Sequence, residues 1–166
     1  MVPIPSRAVH DIPANEHTVV MTTVPASIEA CFEVGIDLEA YPEWAQGIAS
    51  VEVKERDAQG RPVKARFEAS GIGRQSSYVL AYDLSGAPGR LAWTMVEGDL
   101  TRRLEGTYLF EPGGGGAEGA EETDVTYELI VDLAVPLPGY VKRRAEDKIL
   151  AAALQRFKDR VLAVGA

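Results

Sequence analysis

The sequence predicts an α+β fold, in which a curved antiparallel sheet of seven strands wraps around one long C-terminal helix and two short helices follow the first strand. The main observation is an alternation of apolar and polar residues that begins at residue 48 and recurs in six segments separated by turn sequences. Such alternation is typical of an antiparallel meander with one covered face. The second observation is an amphipathic helical pattern from residue 140 onwards, which is long enough to supply the cover.

The segment before the meander contains one strand and two short helices. Residues 17–23, HTVVMTT, are rich in β-branched side chains and predict the first strand. Pro25 suits the first turn of a helix, and apolar residues follow it at helical spacing. In the stretch 37–48, DLEAYPEWAQGI, we expect a second short helix that Asp37 caps and Pro42 ends. The two large aromatic residues in this stretch indicate either a hydrophobic plug or one end wall of a cavity.

One face of the predicted sheet is rich in aromatic side chains. A dry, fully packed core is one interpretation of such a face. Tyrosine and tryptophan carry polar tips that need partners when buried, so several of them together favour a wet or ligand-filled cavity. The predicted inward-facing set comprises Phe67, Tyr78, Tyr82, Trp93, Met95, Tyr108, Phe110 and Tyr127.

The C-terminal helix is predicted to press an apolar row against the sheet. The basic run Lys142-Arg143-Arg144 at its start indicates a solvated face, and a local contact with an anionic headgroup or a partner is the alternative. The apolar row, at i, i+4 spacing, consists of Val141, Ala145, Ile149, Ala153, Phe157 and Val161.

Composition and charge argue against several classes of protein. The net charge is −8, whereas nucleic acid and anionic membrane surfaces attract basic proteins. The single cysteine, Cys31, excludes an internal disulfide, and its apolar neighbours indicate a packing role. No window is apolar enough to span a membrane and no secretory signal is visible, so we expect a cytoplasmic protein. We expect residues 1–16 to form a loosely ordered arm ahead of a single domain at 17–166.

The sequence contains no visible catalytic constellation. His10 and His17 lie at the N-terminal end, away from the strands that would line a cavity, which disfavours histidine-based acid–base chemistry. The inward strand positions carry no Asp, Glu, Lys or His, and only a one-residue shift in register would bring Arg66, Arg74 or Arg102 near the cavity. No cluster has the spacing of metal ligands. We therefore predict no catalytic residue, no metal and no cofactor.

Three stretches together resemble a known family: VPASIEACFEV, DLEAYPEWAQGIASVEV and VPLPGYVKRRAEDKILAAALQRFKDRV. With the order of elements, they resemble the polyketide cyclase/dehydrase branch of the START-like superfamily. These proteins share the helix-grip fold with Bet v 1 and with Coq10-type proteins. The resemblance covers roughly residues 17–163, and it is a signature of fold and subfamily, not of an active site.

The resemblance implies a deep cavity between the sheet and the long helix. Its expected occupant is a hydrophobic small molecule such as a lipid, a quinone or a polyketide, held by a carrier or sequestering protein. A polyketide aromatase/cyclase or dehydrase is the alternative, a protein-interaction role is a third, and a weak homodimer stays open. The expected ligand-binding residues are Tyr41, Trp44, Phe67, Tyr78, Tyr82, Trp93, Met95, Tyr108, Tyr127, Ile149, Ala153 and Phe157.

Overall fold

A computed structural model of the chain describes residues 17–71, 74–99, 101–114, 121–133 and 139–164. In the long C-terminal helix, side chains are described at Lys148 and from Leu150 onwards. The predicted arm at 1–16 and the side chains of Lys142-Arg143-Arg144 lie outside these described parts. The elements are β1 (His17–Val24), α1 (Ile28–Ile36), a 3₁₀ turn (Leu38–Ala40), α2 (Tyr41–Trp44), β2 (Ile48–Arg56), β3 (Pro62–Gly71), β4 (Arg74–Asp83), β5 (Arg90–Gly98), β6 (Thr101–Pro112), β7 (Thr123–Leu133) and α3 (Gly139–Val164).

The strands form one seven-stranded antiparallel sheet in the order β1–β7–β6–β5–β4–β3–β2. Strands β2 to β7 follow each other as a meander, while β1 pairs with β7, so β1 and β2 are the two edges. The predicted helix-grip α+β fold, with its seven-stranded sheet, two short helices and long C-terminal helix, is therefore confirmed. The register places Phe67 beside Tyr78 and Tyr82 beside Trp93, which brings the aromatic residues of neighbouring strands onto one face.

Helix α1 begins later than the sequence pattern indicated. Pro25 lies before the helix, and Ser27 caps it, since the Oγ of Ser27 accepts a 3.1 Å hydrogen bond from the backbone N of Ala30. A serine side chain satisfies one of the free amide groups at a helix start, so the cap fixes the boundary and the expected start at Pro25 is wrong. Gly35 then lets the helix approach the sheet, because a Cβ there would lie 3.2 Å from Cδ2 of Leu91.

The elbow between α1 and β2, residues 37–48, differs from the expectation at two positions. Asp37 precedes the 3₁₀ turn, but its side chain makes no capping hydrogen bond within the described chain. Pro42 lies in the first turn of α2 and does not end a helix. A first turn tolerates proline, which has no backbone N–H, because the N–H groups there have no partner within the helix. The helix ends at Trp44, and Gly47, with a φ of 85°, turns the chain into β2.

The hydrophobic core lies between the covered face of the sheet and the helices. Phe157 of α3 is 0% exposed, and the centroid of its ring lies 4.9 Å from that of Tyr108 and 6.0 Å from that of Phe110. Cys31 of α1 is also buried, and burial raises the pKa of its thiol, as the predicted packing role requires. Among the described helices, none has the length and apolar character needed to cross a membrane.

Candidate ligand-binding cavity

A cavity of about 570 Å³ lies between the sheet, the elbow and helix α3. From the sheet, aliphatic side chains of β4, β6 and β7 line it, and from α3 the small residues Ala152 and Ala153 do so. Its aromatic lining consists of Tyr41, Trp44, Phe67, Tyr78, Tyr82, Trp93, Tyr108 and Tyr127.

The aromatic lining residues of the sheet lie on five consecutive strands, β3 to β7. Cross-strand partners stack or tilt against each other: the ring centroids of Phe67 and Tyr78 are 5.4 Å apart, and those of Tyr108 and Tyr127 are 4.7 Å apart. Trp93 contacts the rings of both neighbouring strands, with ring centroids 5.9 Å from Tyr82 and 5.4 Å from Tyr108. Centroid separations of ~4.5–7 Å stabilise aromatic pairs beyond their buried area, so each ring holds its neighbour in position.

Trp93 occupies a space that a glycine leaves free. Trp93 on β5 pairs with Gly106 on β6, and a Cβ at Gly106 would lie 2.3 Å from the indole atoms Cε2 and Cζ2. Real Cβ atoms do not come that close to other heavy atoms, so the indole can lie flat on this strand only because residue 106 has no side chain. Gly106 therefore fixes how far Trp93 projects towards the cavity.

Most tyrosine hydroxyls of the lining have no partner within the described chain. Tyr41 donates a 2.6 Å hydrogen bond to the backbone oxygen of Gly35. Among the described residues, no hydrogen bond is made by the hydroxyls of Tyr78, Tyr82, Tyr108 and Tyr127. Desolvation by burial raises the pKa of all four, that of Tyr78 to about 12, so at neutral pH each hydroxyl stays protonated and can donate.

The elbow forms a wall between the cavity and the outside. The ring of Trp44 lies 4.9 Å from that of Tyr41 and 6.1 Å from that of Phe157, and Trp44 also lines a groove of about 450 Å³ on the outer side of the elbow. An ion pair of 3.1 Å between Nη2 of Arg160 and Oε1 of Glu43 joins the elbow to α3. Trp44 thus serves as a packing residue and as a cavity wall, the two interpretations that the sequence left open.

The structure brings most of the predicted site residues together. Met95 does not line the cavity; it is partly buried and packs against the core. Phe157 fills space between α3 and the sheet and does not face the cavity. The side chain of Ile149 lies outside the described parts of the chain. Tyr41, Trp44, Phe67, Tyr78, Tyr82, Trp93, Tyr108, Tyr127 and Ala153 all line the cavity, and their role in binding stays a prediction.

Several lining residues did not belong to the predicted set. Leu80, Leu104 and Leu129 carried a usable signal, because they alternate in phase with the aromatic residues of their strands. Gln46, Ser70 and Lys148 line the cavity and are also exposed to solvent, so they mark its opening. No sequence pattern identifies such residues, since an exposed polar side chain at an opening looks like any other surface residue.

The cavity lining offers donors but little acid–base chemistry. Lys148 is the one charged side chain among the described lining residues, which include no Asp, Glu or His. The described residues also contain no group of three His, Cys, Asp or Glu that could hold a metal ion. Arg66, one of the arginines that a shift in register would have brought close, instead binds Glu68 at 3.0 Å.

Solved structures of similar shape cover nearly the whole chain. A START superfamily protein from Mycobacterium smegmatis matches with a TM-score of 0.79 at 22% identity over 89% of this chain and 98% of that one. A protein from Thermus thermophilus matches with a TM-score of 0.70 at 25% identity over 90% of this chain and 99% of that one. The Zhui aromatase/cyclase from Streptomyces sp. R1128 matches with a TM-score of 0.63 at 18% identity over 89% of this chain and 91% of that one.

These structural likenesses support the fold. No curated relative matches the sequence. A family model described as polyketide cyclase/dehydrase and lipid transport matches residues 24–158, a range that begins at the end of β1 and reaches into the last turns of α3. The range includes the elbow and every described residue that lines the cavity. The chain therefore belongs to the polyketide cyclase/dehydrase and lipid transport family.

Proposed function

We propose that the protein binds a hydrophobic small molecule in the cavity under α3 and acts as its carrier or sequestering protein. The observation that carries this proposal is the set of phenol hydroxyls that line the cavity without a partner within the described chain. A buried polar group without a hydrogen bond costs about 1–3 kcal/mol, so a permanently dry interior would be destabilised by each one. Water can satisfy these hydroxyls in the free protein, and a ligand with oxygen acceptors can replace that water.

The size and lining of the cavity suit a ligand of moderate affinity. Its volume of about 570 Å³ falls within the ~300–1,000 Å³ that is usual for small-molecule sites. Each ~100 Å² of apolar lining that a ligand covers is worth on the order of 2.5 kcal/mol, at about 25 cal/mol/Å². Association costs remove part of this gain. Micromolar affinity, about 8 kcal/mol, therefore requires the ligand's own apolar area and one or two hydrogen bonds from the tyrosines.

A cavity-filling substitution tests the proposal. Ala153 on α3 is half-buried and lines the cavity, so Ala153→Leu should occupy space that a ligand needs. We expect the neutral fluorescent dye N-phenylnaphthylamine to bind the wild type with micromolar affinity and to bind Ala153→Leu about tenfold more weakly. With the dye bound, the added side-chain carbons would overpack the cavity, and overpacking costs about 1–3 kcal/mol. Fluorescence titration measures both affinities.

Ala151→Leu is the matched control for this experiment. Ala151 lies on the same helix, is exposed and does not line the cavity, so the same change there should leave the affinity for the dye unaltered. Both alanine and leucine are good helix formers, so neither variant should lose helix stability. Equal dye affinity in wild type and Ala153→Leu, with both proteins folded by circular dichroism, would contradict the proposal. Native mass spectrometry of the purified protein would identify any ligand that it retains.

A polyketide aromatase/cyclase or dehydrase activity is the second candidate. The donor hydroxyls of Tyr108 and Tyr127, on rings 4.7 Å apart, favour it, because paired donors can stabilise a developing enolate oxygen. The weakness of this candidate is the missing general base: both tyrosines have raised pKa values, and the described lining holds no histidine or carboxylate.

Turnover separates the two candidates. An enzyme should convert a reactive poly-β-ketone into a cyclised product, measured by liquid chromatography and mass spectrometry, and Tyr108→Phe should abolish this turnover. A carrier should bind the poly-β-ketone, or a more stable apolar ligand, and release it unchanged.

A further inference from the structure

The opening of the cavity has a polar rim, and the binding of an apolar ligand among the aromatic rings gives this rim no role. Gln46 follows helix α2 of the elbow, Ser70 lies near the end of β3, and Lys148 lies on α3. All three residues line the cavity and are exposed. The side chains of this rim offer an amide, a hydroxyl and an ammonium group, each of which can donate a hydrogen bond. The described cavity lining contains no carboxylate that would bind a cationic group of a ligand.

Lys148 differs from two arginines on the surface around the elbow. Arg160 is paired with Glu43 at 3.1 Å, and Arg56 is paired with Glu39 at 2.7 Å. Within the described chain, Lys148 makes neither an ion pair nor a hydrogen bond. The whole protein carries a net charge of −8, so the general field repels anions and only a local cation can attract one.

We propose that the ligand is an anionic amphiphile, whose apolar body lies among the aromatic rings and whose carboxylate or phosphate end binds Lys148 at the opening. This inference rests on the proposed binding function and narrows it to one class of ligand. The amide of Gln46 and the hydroxyl of Ser70 supply further donors to the anionic end. At the ~30 Å³ that a molecule of liquid water takes up, the cavity of about 570 Å³ accommodates roughly nineteen non-hydrogen atoms, which corresponds to a single medium-length chain.

Competition between matched single-chain ligands tests the inference. Tetradecanoate, tetradecyl phosphate and tetradecanol share one apolar chain and differ in the end group. Each is titrated, below its micelle concentration and at low ionic strength, against bound N-phenylnaphthylamine. We expect the better of the two anions to displace the dye at about two- to fivefold lower concentration than tetradecanol, the range for an ion pair at a solvent-exposed site. The anion that is preferred distinguishes a carboxylate from a phosphate ligand.

Substitutions of lysine assign the effect. Lys148→Met should remove the preference for anions and keep the affinity for the neutral dye, while Lys148→Arg should keep both. Lys158→Met is the matched control, because Lys158 lies on the same helix but not in the cavity lining, and it should retain the preference. High salt should weaken the preference in the wild type.

The possible failures are distinguishable. Dye binding without any preference for an anion would overturn the inference and leave the binding proposal intact. A preference that persists in Lys148→Met would also overturn the inference, because the anion would then be held elsewhere. Failure of the wild type to bind the dye would overturn the binding proposal itself, and this inference with it.

Discussion

Replacing Gly106 with alanine should damage ligand binding more than folding. Gly106 on β6 lies opposite Trp93 on β5, and the new Cβ would stand 2.3 Å from two atoms of the indole ring. Carbon atoms pack best at about 3.5–4.0 Å, so the indole has to retreat by about 1.2 Å or more. The rings of Tyr82, Tyr108 and Tyr127 lie 5.4–6.0 Å from that of Trp93 and restrict sideways movement, which leaves the cavity as the direction with room.

The expected magnitudes follow from this displacement. Overpacking a well-packed site costs about 1–3 kcal/mol. For a domain of this size, such a loss lowers Tm by about 2–12 °C, at about 2–4 °C per kcal/mol. The displaced indole also takes volume from the ligand site, so the affinity for N-phenylnaphthylamine should fall about tenfold or more, equivalent to about 1.4 kcal/mol.

Three measurements on Gly106→Ala check the reasoning: thermal unfolding, dye titration, and the near-ultraviolet circular dichroism of the tryptophans. Gly114→Ala is the control, because nothing lies within 4 Å of a Cβ at Gly114, and it should change none of the three. Trp93→Leu in the Gly106→Ala background should remove most of the additional stability loss, since the clash needs the indole. Unchanged binding in Gly106→Ala, or an equal penalty with and without Trp93, would refute the proposed contact.

Two further predictions concern the tyrosines. Tyr108→Phe should leave the free energy of unfolding in urea unchanged or raise it, because the hydroxyl of Tyr108 has no partner in the described chain. Tyr41→Phe should lower the free energy of unfolding by about 0.5–1.5 kcal/mol, because it loses the hydrogen bond to Gly35. A larger loss of stability in Tyr108→Phe than in Tyr41→Phe would contradict this prediction. Because burial raises the pKa of Tyr78 from 10.0 to about 12, the unfolded state loses that proton at lower pH than the folded state, so the free energy of unfolding should decrease as pH rises from about 10 towards 12. Spectrophotometric titration of the tyrosines, with urea unfolding across this pH range, provides the measurement, and tyrosine ionisation completed near pH 10 would contradict the burial.

The phase of the strands was predictable because each strand carries its own alternation. Phe67, Tyr78, Trp93 and Tyr108 were placed on one face from their immediate neighbours in sequence, and the register confirms that cross-strand partners share this face. An error of one residue would have moved a whole strand's side chains to the other face, so the pattern is a strong constraint wherever one face is buried. The order of the elements followed from the same alternation and from the length of the C-terminal helix.

The elbow was harder to predict, because proline has two compatible positions relative to a helix. It can end one helix, and it can occupy the first turn of the next. At Pro42 the second role applies, because the 3₁₀ turn ends at Ala40 and a new helix starts at Tyr41. The difference depends on how the chain packs against α3 and β3, where Trp44 meets Phe157 and Tyr41 meets Phe67, and local sequence does not carry that information.

The division of inward residues into packing and lining residues was also beyond the sequence. Phe157 and Ala153 belong to the same i, i+4 row of α3, yet Phe157 is fully buried against the rings of β6 while Ala153 faces open space. Periodicity assigns a side chain to a face, but it does not measure the distance from that face to the opposite wall. That distance is set by the sheet and the elbow together.

The position of the cavity nevertheless has a plain cause in the sequence. Helix α3 carries three consecutive alanines, 151–153, and the last two line the cavity, while the buried residues Leu150, Leu154 and Phe157 fill the space around them. Small side chains on the covering helix oppose large aromatic ones on the sheet, and the gap between them is the cavity. Leucine at 153 would extend the packed part of the helix into this gap, whereas leucine at the exposed position 151 would not. The cavity therefore depends on a few short side chains in an otherwise close-packed interior. The variants Ala153→Leu and Ala151→Leu test that dependence directly.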